Sequence, residues 1–187
     1  MTSPIERFAG GNWTAGIIGL GYVGLPLAMT ASARGLGVIG FARTHIPSQG
    51  SGSSSERTSA LMAGQSHVGD VSEEELKNAL AAGAVFTDDP DALREADAIF
   101  ICVPSPLGRH RQPDLSYIEA AARTISSVAR PNQLISLEST TYPGTTEDII
   151  VPAVESAGLT VDEDVFVAFS PERVSPGDTM KTAEIPK

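Results

Sequence analysis

The sequence predicts an α/β fold: a single domain on an open, mainly parallel sheet, doubly wound with helices on both faces. Two observations carry this. Short apolar runs alternate with helical stretches along the chain, and Gly19-Leu20-Gly21-Tyr22-Val23-Gly24 stands where the first strand turns into the first helix. The second is G-x-G-x-x-G in its proper context, and it makes the expectation Rossmann-type.

Residues 1–12 read as an N-terminal tail and residues 13–187 as the domain. Ala15-Gly16-Ile17-Ile18 has the short apolar character of a buried parallel strand. A helix follows over 22–34, with Pro26 tolerated because it falls in the first turn. Each glycine has a task. Gly19 makes the tight turn, Gly21 lets the backbone approach a pyrophosphate, and Gly24 lets helix and strand pack closely. N–H groups at the helix start, from Tyr22 and Val23, then face the phosphates, helped by the helix dipole. The expected ligand is a dinucleotide.

The second strand, 37–42, lacks the acidic residue that usually meets the adenosine ribose. Ala42 and Arg43 stand there instead, and no acid occurs from Leu20 through Ser55. Arg43 is open to two readings: a partner for a 2′-phosphate, which suggests NADP, or a solvated loop residue beside a degraded ribose site. Residues 44–55 form a Ser/Gly-rich, flexible insertion.

A helical stretch resumes near Glu56, and Ser72-Glu73-Glu74-Glu75 has the form of a capping box. Ala84-Val85-Phe86 reads as a strand and Pro90 to Glu95 as a helical turn. Ala98 to Val103 is a strongly apolar strand that runs into the rigid loop Pro104-Ser105-Pro106. Asp114 is expected to cap a helix reaching about Ala129. Leu134 to Leu137 is the next strand, ending at Glu138-Ser139-Thr140-Thr141-Tyr142-Pro143-Gly144, and Thr145 is expected to cap another helix. Val165 to Ala168 is the last strand, followed by Ser170-Pro171-Glu172-Arg173. In open parallel sheets ligands sit beyond the strand C-termini, where all these distinctive loops fall.

Composition sets limits. The chain has 187 residues and a formal net charge of −10, so a nucleic-acid backbone is not the expected partner. One cysteine, Cys102, allows neither an internal disulfide nor a cysteine-based zinc site, and no metal site is expected. No apolar run is long enough to span a bilayer, and residues 1–12 lack a signal core. A cytoplasmic protein with no membrane partner is the simplest reading.

Five ordered segments carry a resemblance: GLGYVGLPLA from Gly19, ICVPSPL from Ile101, PDLSY from Pro113, ESTTYPGTT from Glu138 and FSPERVSPG from Phe169. Together they resemble the cofactor domain of the UDP-glucose/GDP-mannose dehydrogenase family over nearly the whole chain. The resemblance implies NAD binding, with Val103, Ser105 and Ser139 as cofactor contacts beside the glycine loop. It also implies that Thr140 positions a catalytic water and that Glu172 contributes an acid/base carboxylate. Bland alternatives stand beside each: a plain turn for Ser105, backbone bonding for Thr140, an ion pair with Arg173 for Glu172. Glu138 and Tyr142 complete the candidate acid/base set. His110 sits on a basic loop near the same edge, and His45 and His67 have no partner suggested by spacing.

Full members of the family oxidise a sugar alcohol to a carboxylate through a thioester, using a cysteine and a lysine from a further domain. The resemblance ends near Lys187, so those parts are unmatched, and Cys102 reads as a core residue. The expected function is therefore NAD-dependent chemistry on a sugar, nucleoside or sugar-nucleotide alcohol. It is either two-electron oxidation or a redox-neutral, dehydratase-like elimination. The alternatives are a non-catalytic dinucleotide-binding pseudoenzyme, or a subunit or fragment of a complete dehydrogenase. A homo-oligomer, or a partner supplying the missing domains, is open.

Overall fold

Ile17 and Ile18 are neighbours in the chain and face opposite sides of the sheet, as a strand buried on both faces requires. Ile17 joins an apolar cluster with Leu25, Ala28, Val38, Leu61, Leu76 and Phe86. Ile18 joins a second with Ile99, Ile101, Ile118, Ile125, Ile135 and Val154. Each cluster fills the layer between one face of the sheet and its helices. The structure, a computed structural model, describes residues 4–42, 54–106 and 113–171.

The six strands are β1 (Thr14–Ile18), β2 (Gly37–Phe41), β3 (Val85–Thr87), β4 (Ala98–Ile101), β5 (Leu134–Leu137) and β6 (Phe166–Phe169). They pair in the order β3-β2-β1-β4-β5-β6, and every pairing is parallel. The helices are α1 (Pro4–Ala9), α2 (Gly24–Ala33), α3 (Ser54–Met62), α4 (Glu73–Ala81), α5 (Ser116–Val128) and α6 (Val151–Ser156). Helices α2, α3 and α4 supply the first cluster, and α5 and α6 the second. This is the expected Rossmann-type, doubly wound fold. A 3-10 turn over Pro90–Glu95 leads into β4, and a π turn over Thr146–Ile150 leads into α6.

Local signals behave unevenly. Ser72 forms the full capping box: the Glu75 N–H donates to its hydroxyl at 3.2 Å, and the Ser72 N–H donates to the Glu75 carboxylate at 2.9 Å. Asp114 does not cap α5 directly. The helix starts one residue later than a cap there allows, and the Asp114 carboxylate accepts the Ser116 N–H at 3.0 Å. Ser54 and Ser55 belong to α3 rather than to the expected insertion. The rest of that insertion lies outside the described residues.

The N-terminal segment differs most from expectation. Residues 1–12 read as a tail, yet Pro4–Ala9 is helical and docked. The Phe8 ring meets Trp13 edge-on at 5.4 Å, and Trp13 lies 6.4 Å from Phe100. The Arg7 guanidinium donates to the Asp97 carboxylate. Asp97 is buried where β1 and β4 begin, and it also accepts the Thr14 N–H at 3.0 Å and Arg130 Nη2 at 3.4 Å. Gln133, fully buried, donates to the Ala96 carbonyl at 2.8 Å and accepts the Arg130 N–H at 2.8 Å. Side chains thus stitch the starts of β1, β4 and β5 together, satisfying polar groups that burial makes costly to leave unpaired.

Burial alone raises the Asp97 carboxyl, but the hydrogen bonds from Thr14, Arg7 and Arg130 outweigh it and hold the group below its ordinary value. A depressed carboxylate adds stability above its unfolded pKa, near 4, and that stability is lost as pH falls through the folded value. Asp97→Asn is expected to cost about 1–3 kcal/mol at neutral pH in urea unfolding. The difference from the unsubstituted chain should shrink as pH falls from about 4 down through the lowered folded value, where the native Asp97 takes up its proton.

Candidate functional site

Because all six strands are parallel, their C-terminal ends share one edge. β1 and β4 are neighbours there, yet the chain proceeds from them toward opposite sides of the sheet. The loops after them therefore part, opening a crevice at this switch point. Hydrogen bonds just past the strand ends hold the loop roots. Gly19 N–H donates to the Phe41 carbonyl at 3.0 Å, Cys102 N–H to Ile18 at 2.8 Å, Glu138 N–H to Ile101 at 3.0 Å and Ser170 N–H to Leu137 at 3.0 Å.

The three loop glycines are separable by what surrounds them. Gly19 has φ +99°, and a Cβ there meets the Cys102 carbonyl oxygen at 2.6 Å. A Cβ on Gly24 falls 1.8 Å from the Gly19 carbonyl oxygen and 3.1 Å from Ile17. Both are backbone contacts that only glycine permits. Gly21 is different: a Cβ there meets nothing within 4 Å. Its surroundings have room for a ligand. Helix α2 begins beside it with Val23 at its cap, no side-chain cap and no acid in the first turn. Such a start presents unpaired N–H groups and the positive end of the helix dipole. Tyr22 is exposed and Val23 half-buried at this rim. A pyrophosphate fits this chemistry: room at Gly21, donors at the helix start and no competing carboxylate.

Val103 and Ser105, both half-buried, line the loop after β4. Ser139 is buried, and its hydroxyl donates to the Val103 carbonyl at 2.8 Å and to Ile101 at 3.2 Å. It ties the β5 exit to the β4 exit, leaving only its oxygen lone pairs for a ligand. Glu138 is buried beside it and accepts the Ser136 hydroxyl at 2.5 Å. Thr140 and Tyr142 are exposed on the same loop. Thr145 does not act as the expected cap. Its helical backbone and near-complete burial turn the hydroxyl back to the Tyr142 carbonyl at 2.9 Å and the Thr141 hydroxyl at 2.8 Å. This braces the turn around Gly144, which has φ +98°.

Ala42 directly follows β2 and is half-buried, with its N–H on the Thr87 carbonyl at 3.1 Å. Arg43, His45, His110 and Glu172 lie outside the described residues. Cys102 is buried directly behind Gly19, in keeping with a core residue. Among the described residues no cluster of three metal-binding side chains occurs, and no helix is long and apolar enough to cross a membrane. One contact at this edge was not legible from spacing: His67 Nε2 lies 2.8 Å from the Leu20 carbonyl oxygen. Its signal is topological. The α3–α4 connection leads from β2 to β3, and that places it alongside the first strand–helix turn.

A family model for the UDP-glucose/GDP-mannose dehydrogenase family, NAD binding domain, matches residues 14–186. Protein CapL of Staphylococcus aureus is 37% identical over 92% of this chain and 38% of its own length. UDP-N-acetyl-D-glucosamine 6-dehydrogenase of Pseudomonas aeruginosa is 37% identical over 87% of this chain and 36% of its own. Among solved structures, the UDP-D-ManNAc dehydrogenase of Pyrococcus horikoshii superposes with a TM-score of 0.75 at 35% identity, over 88% of this chain and 37% of that one. The chain thus spans less than two fifths of the length of these relatives.

The surroundings of the glycines predict opposite outcomes for one substitution. Gly24→Val should destabilise the fold by roughly 3 kcal/mol or more, because backbone must move to admit the side chain. Gly21→Val should leave the melting temperature nearly unchanged and abolish NAD binding in calorimetric titration.

Proposed function

This chain belongs to the UDP-glucose/GDP-mannose dehydrogenase family, and we propose that its part in such chemistry is to hold NAD for hydride exchange with the alcohol of a sugar nucleotide. The observation that carries this reading is the open space at Gly21 beside the uncapped start of α2, at the switch point between β1 and β4. The Gly19–Gly24 loop and the first turn of α2 receive the pyrophosphate. Val103, Ser105 and Ser139 border the cofactor on the β4 and β5 side. NAD, when bound, supplies a two-electron hydride acceptor.

The chain's own residues supply positioning and proton transfer. Thr140 and Tyr142, exposed on the β5 loop, face solvent where a substrate hydroxyl can reach them. Glu138, buried and accepting the Ser136 hydroxyl, serves as a proton acceptor behind that loop. Glu172 completes the acid/base set. Cys102 is buried behind the glycine loop, so a thioester step does not run through it. What these residues support is one hydride transfer coupled to one proton transfer. The relatives named above make a UDP-N-acetylhexosamine the substrate to try first.

Incubation with NAD and a UDP-N-acetylhexosamine, followed by NADH absorbance and mass spectrometry of the sugar nucleotide, tests this. Accumulating NADH means net oxidation. A dehydrated product without NADH means that the hydride returns. NAD binding with neither product means a binding module, or a part that works with domains from elsewhere. Arg43→Ala is expected to leave NAD affinity within about threefold, because NAD has no 2′-phosphate for the guanidinium to meet. The same substitution should weaken any measurable NADP binding, read in parallel titrations.

A further inference from the structure

His67 reaches the glycine loop from a distant part of the chain. Just past the end of α3, Gly64 has φ +76°, with Gly64 N–H on the Leu61 carbonyl and Gln65 N–H on Ala60, each at 2.9 Å. This left-handed stop turns the chain back toward the end of β1. Val68 and Val71 then bury themselves in the same apolar cluster as Leu20 and Leu25. Ser66 bonds across His67, its hydroxyl donating to the Val68 carbonyl at 3.0 Å. The residues flanking His67 are thus fixed, while its own side chain stays exposed and places Nε2 2.8 Å from the Leu20 carbonyl oxygen. A carbonyl oxygen only accepts, so Nε2 carries the proton and donates.

The Leu20 carbonyl and the Gly21 N–H belong to one peptide unit. In a trans peptide these two groups point in opposite directions, and the described chain has no cis bonds. A donor held on the Leu20 oxygen therefore fixes the Gly21 N–H to point away from His67. Among the described residues that N–H has no hydrogen-bond partner, and a Cβ on Gly21 would meet nothing within 4 Å. Donation to a carbonyl also polarises its peptide and strengthens the N–H at the other end.

We propose that His67 is a positioning residue for the cofactor: by holding the Leu20 carbonyl it aims and strengthens the Gly21 N–H as a donor to the pyrophosphate. The inference rests on the reading of Gly21 as the pyrophosphate site.

The test compares the unsubstituted chain with His67→Ala and His67→Gln. It uses calorimetric titration with NAD and the amide resonance of Gly21 in nitrogen-15 spectra. Loss of one neutral hydrogen bond predicts NAD affinity about fivefold to tenfold weaker in His67→Ala, with an unchanged melting temperature. Glutamine carries an N–H donor at similar reach and should restore affinity to within about twofold. The Gly21 resonance should move in His67→Ala and return in His67→Gln. Equal NAD affinity in the unsubstituted chain and His67→Ala overturns the assignment. So does weakening in both variants with the Gly21 resonance unmoved. Failure of the unsubstituted chain to bind NAD at all overturns the reading of the glycine loop, and is seen before any variant is made.

Discussion

The functional edge depends on how closely backbone approaches backbone at the end of β1. Gly24 sits so near Gly19 that a single added carbon would overlap its carbonyl oxygen, and Gly19 in turn lies against the Cys102 carbonyl at the exit of β4. These contacts pull the start of α2 down onto the sheet between its two central strands. The first turn of the helix then opens over the switch point instead of over a loop. Everything proposed for the cofactor follows from that placement. The loop's remaining glycine is left clear, the helix start stays uncapped, and the β4 and β5 loops border the same crevice.

The two edges of the sheet are built on opposite principles. At the strand N-termini, Asp97, Arg7, Arg130 and Gln133 cross-link elements far apart in sequence. At the C-termini, backbone bonds hold the loop roots, and beyond them Tyr22, Thr140 and Tyr142 are exposed. Rigidity is concentrated at one end and chemical opportunity at the other. Ser139 and Thr145 modify this division, because both spend their hydroxyls inside the functional edge. They stiffen the β5 loop whose exposed neighbours are the candidate reactive groups, an arrangement suited to holding side chains at fixed positions.

What was legible in the sequence was what depends on short-range spacing. The glycine loop, the strands as apolar runs and the Ser72 capping box are each defined within a few residues, and each is found as expected. The parallel, doubly wound sheet follows nearly as directly, since alternating strands and helices leave few topologies open. What was not legible depends on partners far along the chain. Helix α1 is held by Asp97, ninety positions beyond Arg7, so its segment read as a tail. Thr145 has the composition of a cap but is turned inward by burial, which no local pattern reports. His67 meets Leu20 across 47 positions, through a connection whose course is set by where β3 pairs.

Trp13 gives the fold a built-in optical gauge. It is the chain's only tryptophan, and it stands just before β1 with Phe8 on one side and Phe100 on the other. Its emission therefore reports whether α1 is seated on the sheet, at the end remote from the glycine loop. Fluorescence of the unlabelled chain thus follows the seating of α1 through unfolding, with no added dye.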